Sequence, residues 1–136
     1  MPFPNIHACI ICEEVREEKR KLLSILGFYG AAPEVEILVR DFSESIRLSL
    51  LFLASEGRGQ YKVAPLILDP DGGVVLDSPA MDANIPEPSK RYVFGFGFAA
   101  LRLPRAGRYT IVLRVDGQTH YQTTFDVRQG NPGDFA

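Results

Sequence analysis

The sequence predicts an all-β protein, an antiparallel β-sandwich of the immunoglobulin-like or a related Greek-key type, with seven to nine short strands and at most one short helix. Three observations lead to this class. Apolar and polar residues alternate in many short runs, as in strands that bury one face. Turn-forming residues recur between the runs, among them 10 prolines and 12 glycines in 136 residues. No segment shows the apolar periodicity of a long amphipathic helix.

The predicted strands are runs that are continuously apolar or that alternate apolar with polar residues: 6–12, 22–30, 35–39, 46–54, 61–69, 74–77, 91–101, 109–115 and 120–128. The stretch "DPDGG" at 69–73 and the stretch "DGQT" at 116–119 have the composition of tight turns. One core is enough for a chain of this length. We therefore expect a single sandwich domain over residues 1–128 and a flexible tail at 129–136.

Neighbouring runs suggest which strands pair. The first two strands are expected to form a hairpin, and the charged segment 13–21 is either a helical turn or the long connection of that hairpin. Gly27 in the second strand marks a bulge or a close approach. The strand 61–69 is expected to return antiparallel to 46–54. Because Pro65 cannot donate to a ladder, that strand should lie at an edge or carry a bulge.

The segment "RYVFGFGFAAL" at 91–101 places four aromatic rings on alternate residues: Tyr92, Phe94, Phe96 and Phe98. Alternate residues of a strand share one face, and each buried ring removes about 150–250 Å² from water. We therefore expect the four rings to line the core. The alternative, an exposed aromatic platform for bases or sugars, lacks the interleaved Lys and Arg that single-stranded nucleic acid requires.

The opposite face of the same segment is nearly bare at Gly95 and Gly97, which predicts that a loop, a ligand or another subunit lies close to it. Other strands are apolar on both sides, including Leu51 and Leu53 in the fourth run. One sandwich core covers only one face of each sheet. These four residues are the predicted interface, and we expect a homo-oligomer, most simply a two-fold dimer, with an unidentified protein as a further partner.

Two other functions stay open. A small-ligand or carbohydrate-binding sandwich would place its pocket near Gly95, Gly97 and the loops 55–60 and 78–90. An enzyme with an unrecognised site is the least favoured hypothesis. With His7 and His120 as the only histidines and no nucleophile-elbow pattern, the sequence predicts no catalytic residue, and no cofactor is expected.

Cys9 and Cys12 are the most conspicuous candidates for metal binding, with His7 and His120 as further ligands. The spacing of the two cysteines within a strand places them on opposite faces, which does not converge on one ion. Both are therefore expected to pack as small buried hydrophobes, and no metal is predicted.

Four acidic residues cluster around the turns in the middle of the chain: Asp69, Asp71, Asp77 and Asp82. Sandwich loops can gather such carboxylates around calcium, which takes six to eight oxygens. Their spacing does not match a calcium loop, and tight turns favour the same residues. The turn interpretation is preferred.

Charge and composition bound the partners. The formal charge is −2, from 15 basic and 17 acidic residues, so neither nucleic acid nor an anionic membrane is expected. No apolar run reaches the roughly 18 residues of a transmembrane helix. The first residues lack the features of a secretory signal, and two cysteines are too few for a disulfide scaffold. These observations predict a cytoplasmic protein.

The runs "PNIHACIICEEVREEKRKLLSILGFYG" and "LILDPDGGVV" resemble a bacterial family known only as a domain of unknown function. The resemblance covers most of the chain and rests on the cysteine-bearing first strand, the charged connection and the return strand. It implies a β-sandwich in a bacterial cytoplasm. It assigns no catalytic or binding residue.

Overall fold

The structure is a computed structural model, and it describes residues 4–85 and 91–135. Residues 1–3, 86–90 and 136, which belong to the predicted domain, a predicted loop and the predicted tail, lie outside the described ranges. The described chain forms ten strands: β1 (Asn5–Glu17), β2 (Leu23–Ala31), β3 (Glu36–Val39), β4 (Ser45–Ser55), β5 (Gly59–Leu68), β6 (Val74–Asp77), β7 (Met81–Ile85), β8 (Arg91–Arg102), β9 (Gly107–Val115) and β10 (Gln118–Gln129).

Two short 3₁₀ turns, Lys19–Lys21 and Pro132–Phe135, complete the described chain, which contains no α-helix. The all-β prediction is confirmed, although ten strands exceed the seven to nine expected. The additional strand is β7, which forms inside the segment 78–90 that was predicted to be a loop. Its residues pair with Gly59–Val63 of β5, which supplies hydrogen-bond partners for the β7 backbone. The prediction missed this strand because the local sequence does not show which strand would lie beside it.

The strands form two sheets. Sheet I has the order β2-β1-β4-β8 and is antiparallel throughout. Sheet II has the order β3-β10-β9-β5-β6, with β7 also paired to β5. The sandwich is antiparallel, as predicted, except at the edge of sheet II, where β3 lies parallel to β10. The two sheets bury one shared core, which confirms the sandwich.

The expected pairing of 46–54 with 61–69 is wrong. β4 lies between β1 and β8 in sheet I, whereas β5 pairs with β9 in sheet II. The chain leaves one sheet for the other where Glu56, Gly57 and Gly59 adopt positive φ values of 60°, 72° and 100°. Glycine tolerates such values at little cost, so this short connection turns out of the plane of sheet I rather than reversing within it.

Pro65 lies in a strand that has neighbours on both sides. β7 pairs with β5 up to Val63 and β6 pairs from Leu66 onward, so the second neighbour is interrupted at Pro65. The Ser78 N–H donates to the Pro65 carbonyl across this gap at 3.2 Å. The N and C=O of one strand residue point to the same side of the strand. The Pro65 nitrogen, which carries no hydrogen, therefore faces the gap between β7 and β6, and the lost hydrogen bond leaves no strand partner unsatisfied.

The aromatic rings of β8 face the core, as predicted. Phe94 and Phe96 are buried, and Tyr92 and Phe98 are partly buried against the same cluster. The Phe52 ring of β4 makes edge-on contacts with Phe96 at 6.0 Å and with Tyr121 of sheet II at 6.2 Å between centroids. Aromatic pairs in this geometry add stabilisation beyond burial alone, so this trio joins the two sheets.

Two tyrosines hold the turns that precede their strands. The Tyr109 hydroxyl donates to the Arg105 carbonyl at 2.7 Å and accepts from the Arg105 N–H at 3.1 Å. The Tyr61 hydroxyl makes the same two bonds to the backbone of Arg58. A tyrosine that bonds to backbone a few residues upstream is the tyrosine corner of immunoglobulin-like sandwiches. This detail agrees with the predicted fold type.

The end of the chain, predicted as a tail from residue 129, is attached to sheet II. β10 continues to Gln129, whose side-chain amide donates to the Arg40 carbonyl at 2.9 Å. The Phe135 ring lies under the Arg40 guanidinium at 5.0 Å. Strand structure therefore reaches one residue beyond the predicted boundary, and the flexibility of the rest stays a prediction.

Replacing Tyr109 by Phe should lower the free energy of unfolding by about 1–2 kcal/mol. The variant loses both hydrogen bonds between the Tyr109 hydroxyl and the Arg105 backbone, and the Tyr109 side chain is fully buried. Urea denaturation measures this difference. The control is Arg108→Lys on the same strand, which alters an exposed ion pair and should cost less than about 0.5 kcal/mol. Equal losses in the two variants would show that the corner contributes nothing of its own.

Candidate functional site

The first two strands continue beyond the rest of their sheet. The pairing of β1 with β4 ends at Cys12 opposite Ser49, whereas the pairing of β1 with β2 continues to Glu17 opposite Leu23. Residues 13–28 therefore form a two-stranded extension, which we call the arm. Its tip is the 3₁₀ turn Lys19–Lys21, closed by a hydrogen bond from the Glu18 N–H to the Leu22 carbonyl at 2.7 Å.

The hairpin of the first two strands is confirmed, but the charged segment 13–21 is only in part its connection. Strand β1 extends to Glu17, and the connection is limited to the tip. The reason lies in cross-strand contacts: Val15 pairs with Ile25, while Glu14 pairs with Leu26 and its carboxylate lies 3.5 Å from the Arg47 guanidinium. Cross-strand contacts of this kind stabilise a strand even where most of its residues are charged.

The arm exposes a concentration of apolar side chains. Eight large hydrophobic residues are exposed in the described ranges, and five of them fall within seven consecutive positions: Leu22, Leu23, Ile25, Leu26 and Phe28. The exposed fraction reaches 62% at Leu22 and 63% at Phe28. Isolated exposed hydrophobes are ordinary, but a contiguous group usually marks a surface that associates.

A cleft of about 430 Å³ lies where the arm meets the outer face of sheet I. Val15, Glu17 and Leu23 line one side, and the other is formed by residues of β4 and β8 that include Leu51, Gly95 and Gly97. A Cβ placed on Gly95 would lie 3.3 Å from the Leu51 side chain, and one on Gly97 would lie 3.4 Å from Ser49 Oγ. The two glycines thus leave the floor of the cleft uncovered.

The structure brings together three of the four predicted interface residues. Leu51, Gly95 and Gly97 line the cleft, although Leu51 is only 3% exposed and its side chain lies against Gly95. Leu53 lies farther along β4 opposite Val93 and is partly buried outside the cleft lining. Among the described residues, a Cβ on either glycine would meet only Leu51 or Ser49 of β4, so the expectation that a loop, a ligand or another subunit lies close to them stays a prediction.

The exposed residues of the arm were not among the predicted site residues. Their run was correctly predicted to be a strand, but the sequence does not show that β2 has a neighbour on one side only. One signal was available. Residues 22–33, "LLSILGFYGAAP", contain no charged residue, which is unusual for a strand that lies at the edge of a sheet.

Cys9, Cys12 and His7 do not converge. Cys9 is buried between the sheets, whereas Cys12 lies on the other face of β1 and its thiol donates to the Ser49 carbonyl at 3.9 Å. Burial raises the pKa of Cys9 to about 12 and also raises the pKa of Cys12. Both thiols are therefore neutral at physiological pH. In the described ranges, no three metal-ligating side chains gather at one point.

The His7 ring is hydrogen-bonded to the Ser55 hydroxyl, a pair that the sequence did not reveal because 48 residues separate them. A histidine beside a hydroxyl is one half of a nucleophilic constellation, which also needs an acid that orients the ring. Within the part of the chain that the structure describes, His7 makes no bond to a carboxylate. The pair by itself does not constitute a catalytic site.

The four turn carboxylates each have a structural partner. Asp69 accepts the Asp71 and Gly73 N–H groups at 2.9 and 2.8 Å, which holds the "DPDGG" turn. The remaining three pair with separate cations: Asp71 with Arg105, Asp77 with Arg114 and Asp82 with Lys62. This arrangement follows the turn interpretation and not that of a shared ion.

None of the described helices is long and apolar enough to span a bilayer.

The buried thiol of Cys9 predicts a loss of stability in alkali. Because its pKa rises from 9.0 to about 12 on folding, the unfolded chain ionises first. Stability is fully present below pH 9 and falls as the pH rises toward 12. Between pH 8 and pH 10 the free energy of unfolding should drop by about 1 kcal/mol on this account. Urea denaturation in reductant measures the drop, and a Cys9→Ala variant that shows the same drop would contradict the assignment.

Comparison with known proteins assigns the sequence to a family. A search of curated proteins found no match. One family model matches residues 7–128, and its description is a family of unknown function, DUF6941. The match covers the cysteine-bearing first strand, the arm and the "LILDPDGGVV" run, which confirms the resemblance seen in the sequence, while a bacterial source stays a prediction. Since the match spans most of the chain, the protein belongs to the family of unknown function DUF6941.

Proposed function

We propose that this protein is a non-enzymatic protein-interaction module that self-associates through the apolar outer surface of sheet I, most simply as a two-fold dimer. The observation that carries the proposal is the row of exposed hydrophobic side chains on the arm at positions 22–28. Fully burying one Leu, Ile or Phe side chain contributes roughly 1.5–3 kcal/mol. A surface of this kind favours association over remaining in water.

The surface first predicted, around Gly95, Gly97, Leu51 and Leu53, is adjacent to the arm. Val93, which is also exposed, extends the apolar surface from the cleft along β8. The proposal therefore combines the outer face of sheet I with the arm, and the arm supplies the side chains that reach farthest into solvent.

The environment of each chemically reactive candidate supports a non-enzymatic role. The two thiols are held neutral by burial, the His7–Ser55 pair has no acid partner among the described residues, and the turn carboxylates are paired with cations. Two buried cysteines present as free thiols are in keeping with a reducing, cytoplasmic setting, which forms part of the proposal.

Phe28→Asp should convert a dimer into a monomer, because it replaces the most exposed ring of the apolar surface by a charge. Sedimentation velocity over a micromolar concentration series measures the change. The matched control is Val74→Asp, since Val74 is 62% exposed but lies on β6 in sheet II. A wild-type protein that stays monomeric throughout the series would refute self-association, and equal effects of the two variants would refute the assigned surface.

A second candidate function is the binding of a small ligand or carbohydrate in the cleft between the arm and β8. Its volume of about 430 Å³ is within the usual range of small-molecule pockets. The position agrees with the predicted pocket at Gly95 and Gly97. The loops 55–60 and 78–90 do not contribute to the described lining, whose second side is the arm, and residues 86–90 lie outside the described ranges.

Gly97→Val tests the cleft, because its side chain would occupy the floor above Ser49, where a Cβ lies 3.4 Å from Ser49 Oγ, an ordinary contact distance. The melting temperature should stay within about 2 °C of the wild type, since a β-branched residue suits an exposed strand position. If a mono- or disaccharide raises the melting temperature of the wild-type protein, that increase should be absent in the variant. An increase of the same size in both proteins would place the ligand elsewhere.

A further inference from the structure

We infer that the partner on this surface is a second copy of the same chain, and that β2 pairs antiparallel with β2 of that copy across a two-fold axis. Sheet I would then continue through both protomers as one eight-stranded sheet, since each contributes four strands. This inference rests on the proposed self-association and specifies its geometry. Four features of the described residues support it.

The open edge of β2 presents backbone groups that have no partner in its own sheet. The Glu18 N–H donates to the Leu22 carbonyl, and Arg16–Ser24 and Glu14–Leu26 continue in the same register. Alternate pairs of an antiparallel ladder exchange hydrogen bonds, so Leu22, Ser24 and Leu26 direct their backbone groups toward β1. The N–H and C=O of Leu23 and Ile25 consequently face the open edge.

Edge strands of soluble proteins are usually short, charged or interrupted, which prevents pairing with other chains. Sheet II follows this rule: β3 has four residues and includes Glu36, β6 has four and ends at Asp77, and β7 carries Asp82. Strand β2 has nine residues and no charge. Its irregular part, with Gly27 and Gly30 at positive φ and a register shift against β1, comes after Leu26, so residues 23–26 form a regular, uncharged stretch of this edge.

Charge distinguishes β2 from β8, the other edge of sheet I. Strand β8 begins with Arg91 and ends with Arg102, so antiparallel self-pairing would place like charges opposite each other. Residues 16–21, which lead into β2, include four basic and two acidic residues and are net positive, and the first charged residue after β2 is Glu34. In a two-fold antiparallel pair the start of one strand lies beside the end of the other, so these opposite charges approach.

A register centred on Ile25 matches the exposed side chains. Ile25 would meet Ile25 of the second copy, and its outward N–H and C=O would form two hydrogen bonds across the axis. Leu23 would lie beside Gly27 of the second copy, which has no side chain and whose φ of 62° ends the regular extended stretch. Leu22 would lie opposite Phe28, so the two most exposed large hydrophobic side chains of the arm would cover each other.

Disulfide cross-linking tests the register. Residues that face each other in such a pair have Cα atoms about 5.5 Å apart, a separation that a disulfide spans. Ile25→Cys should therefore form a covalent dimer under mild oxidation, while the buried Cys9 and Cys12 remain reduced. Val93→Cys on β8 and Val74→Cys on β6 are the matched controls, and both should remain monomeric on denaturing gels.

Removal of one N–H tests the strand pairing independently. Ile25→Pro deletes an N–H that faces the open edge and has no strand partner among the described residues, so the dimer dissociation constant should rise at least about tenfold through two lost bonds at the axis. Ile25→Val keeps the N–H and should change the constant less than about threefold. Circular dichroism establishes whether each variant is folded. If the proline variant is unfolded, the Ile25→Cys cross-link tests the β2 pairing in its place.

The outcomes separate this inference from the proposed function. A wild-type protein that is monomeric at all concentrations overturns both. A wild-type dimer that Ile25→Cys does not cross-link overturns the β2 pairing and leaves self-association standing. A cross-link through Val93→Cys instead assigns the dimer to the β8 edge and likewise overturns the inference.

Discussion

The contact of Phe52 with Phe96 and Tyr121 is the interaction on which the arrangement of this protein depends. It joins the middle of sheet I to sheet II and fixes which face of β8 is buried. Because side chains alternate along a strand, burying the rings turns Gly95 and Gly97 outward. The bare floor of the cleft is therefore a direct consequence of how the core is packed.

The arm follows from a mismatch in strand length within sheet I. β1 has thirteen residues, but β4 accompanies it only to Cys12, so the last part of β1 has β2 as its sole strand neighbour in the described chain. A two-stranded ribbon has little core of its own, and its apolar residues stay in contact with water. Leu22 and Phe28 are exposed for this reason. A second copy that extends the same sheet would give the open edge its backbone partners.

The edge strands of the two sheets differ in length and charge. Sheet II ends in short strands that carry Glu36, Asp77 and Asp82, whereas sheet I ends in two long strands without interior charge. The proposed self-association uses the sheet whose edge strands lack this protection. The reactive groups lie elsewhere and are engaged in structure: Cys9 in the core and Asp69 in its turn. This division is what the interaction hypothesis requires of a small sandwich.

The sequence by itself determined the class of fold, the inward face of β8, the strand at 22–30 and the turn at 69–73, because each depends on local alternation or on the backbone preferences of Pro, Asp and Gly. The tertiary structure decided that β4 and β5 belong to different sheets, that β3 runs parallel to β10, and that Leu51 is covered while Leu22 is exposed. Alternation shows which side chains share a face, but it carries no information about which strand lies next to another. Exposure of the arm depends on that neighbour relation, so it emerged only when all the strands had been placed.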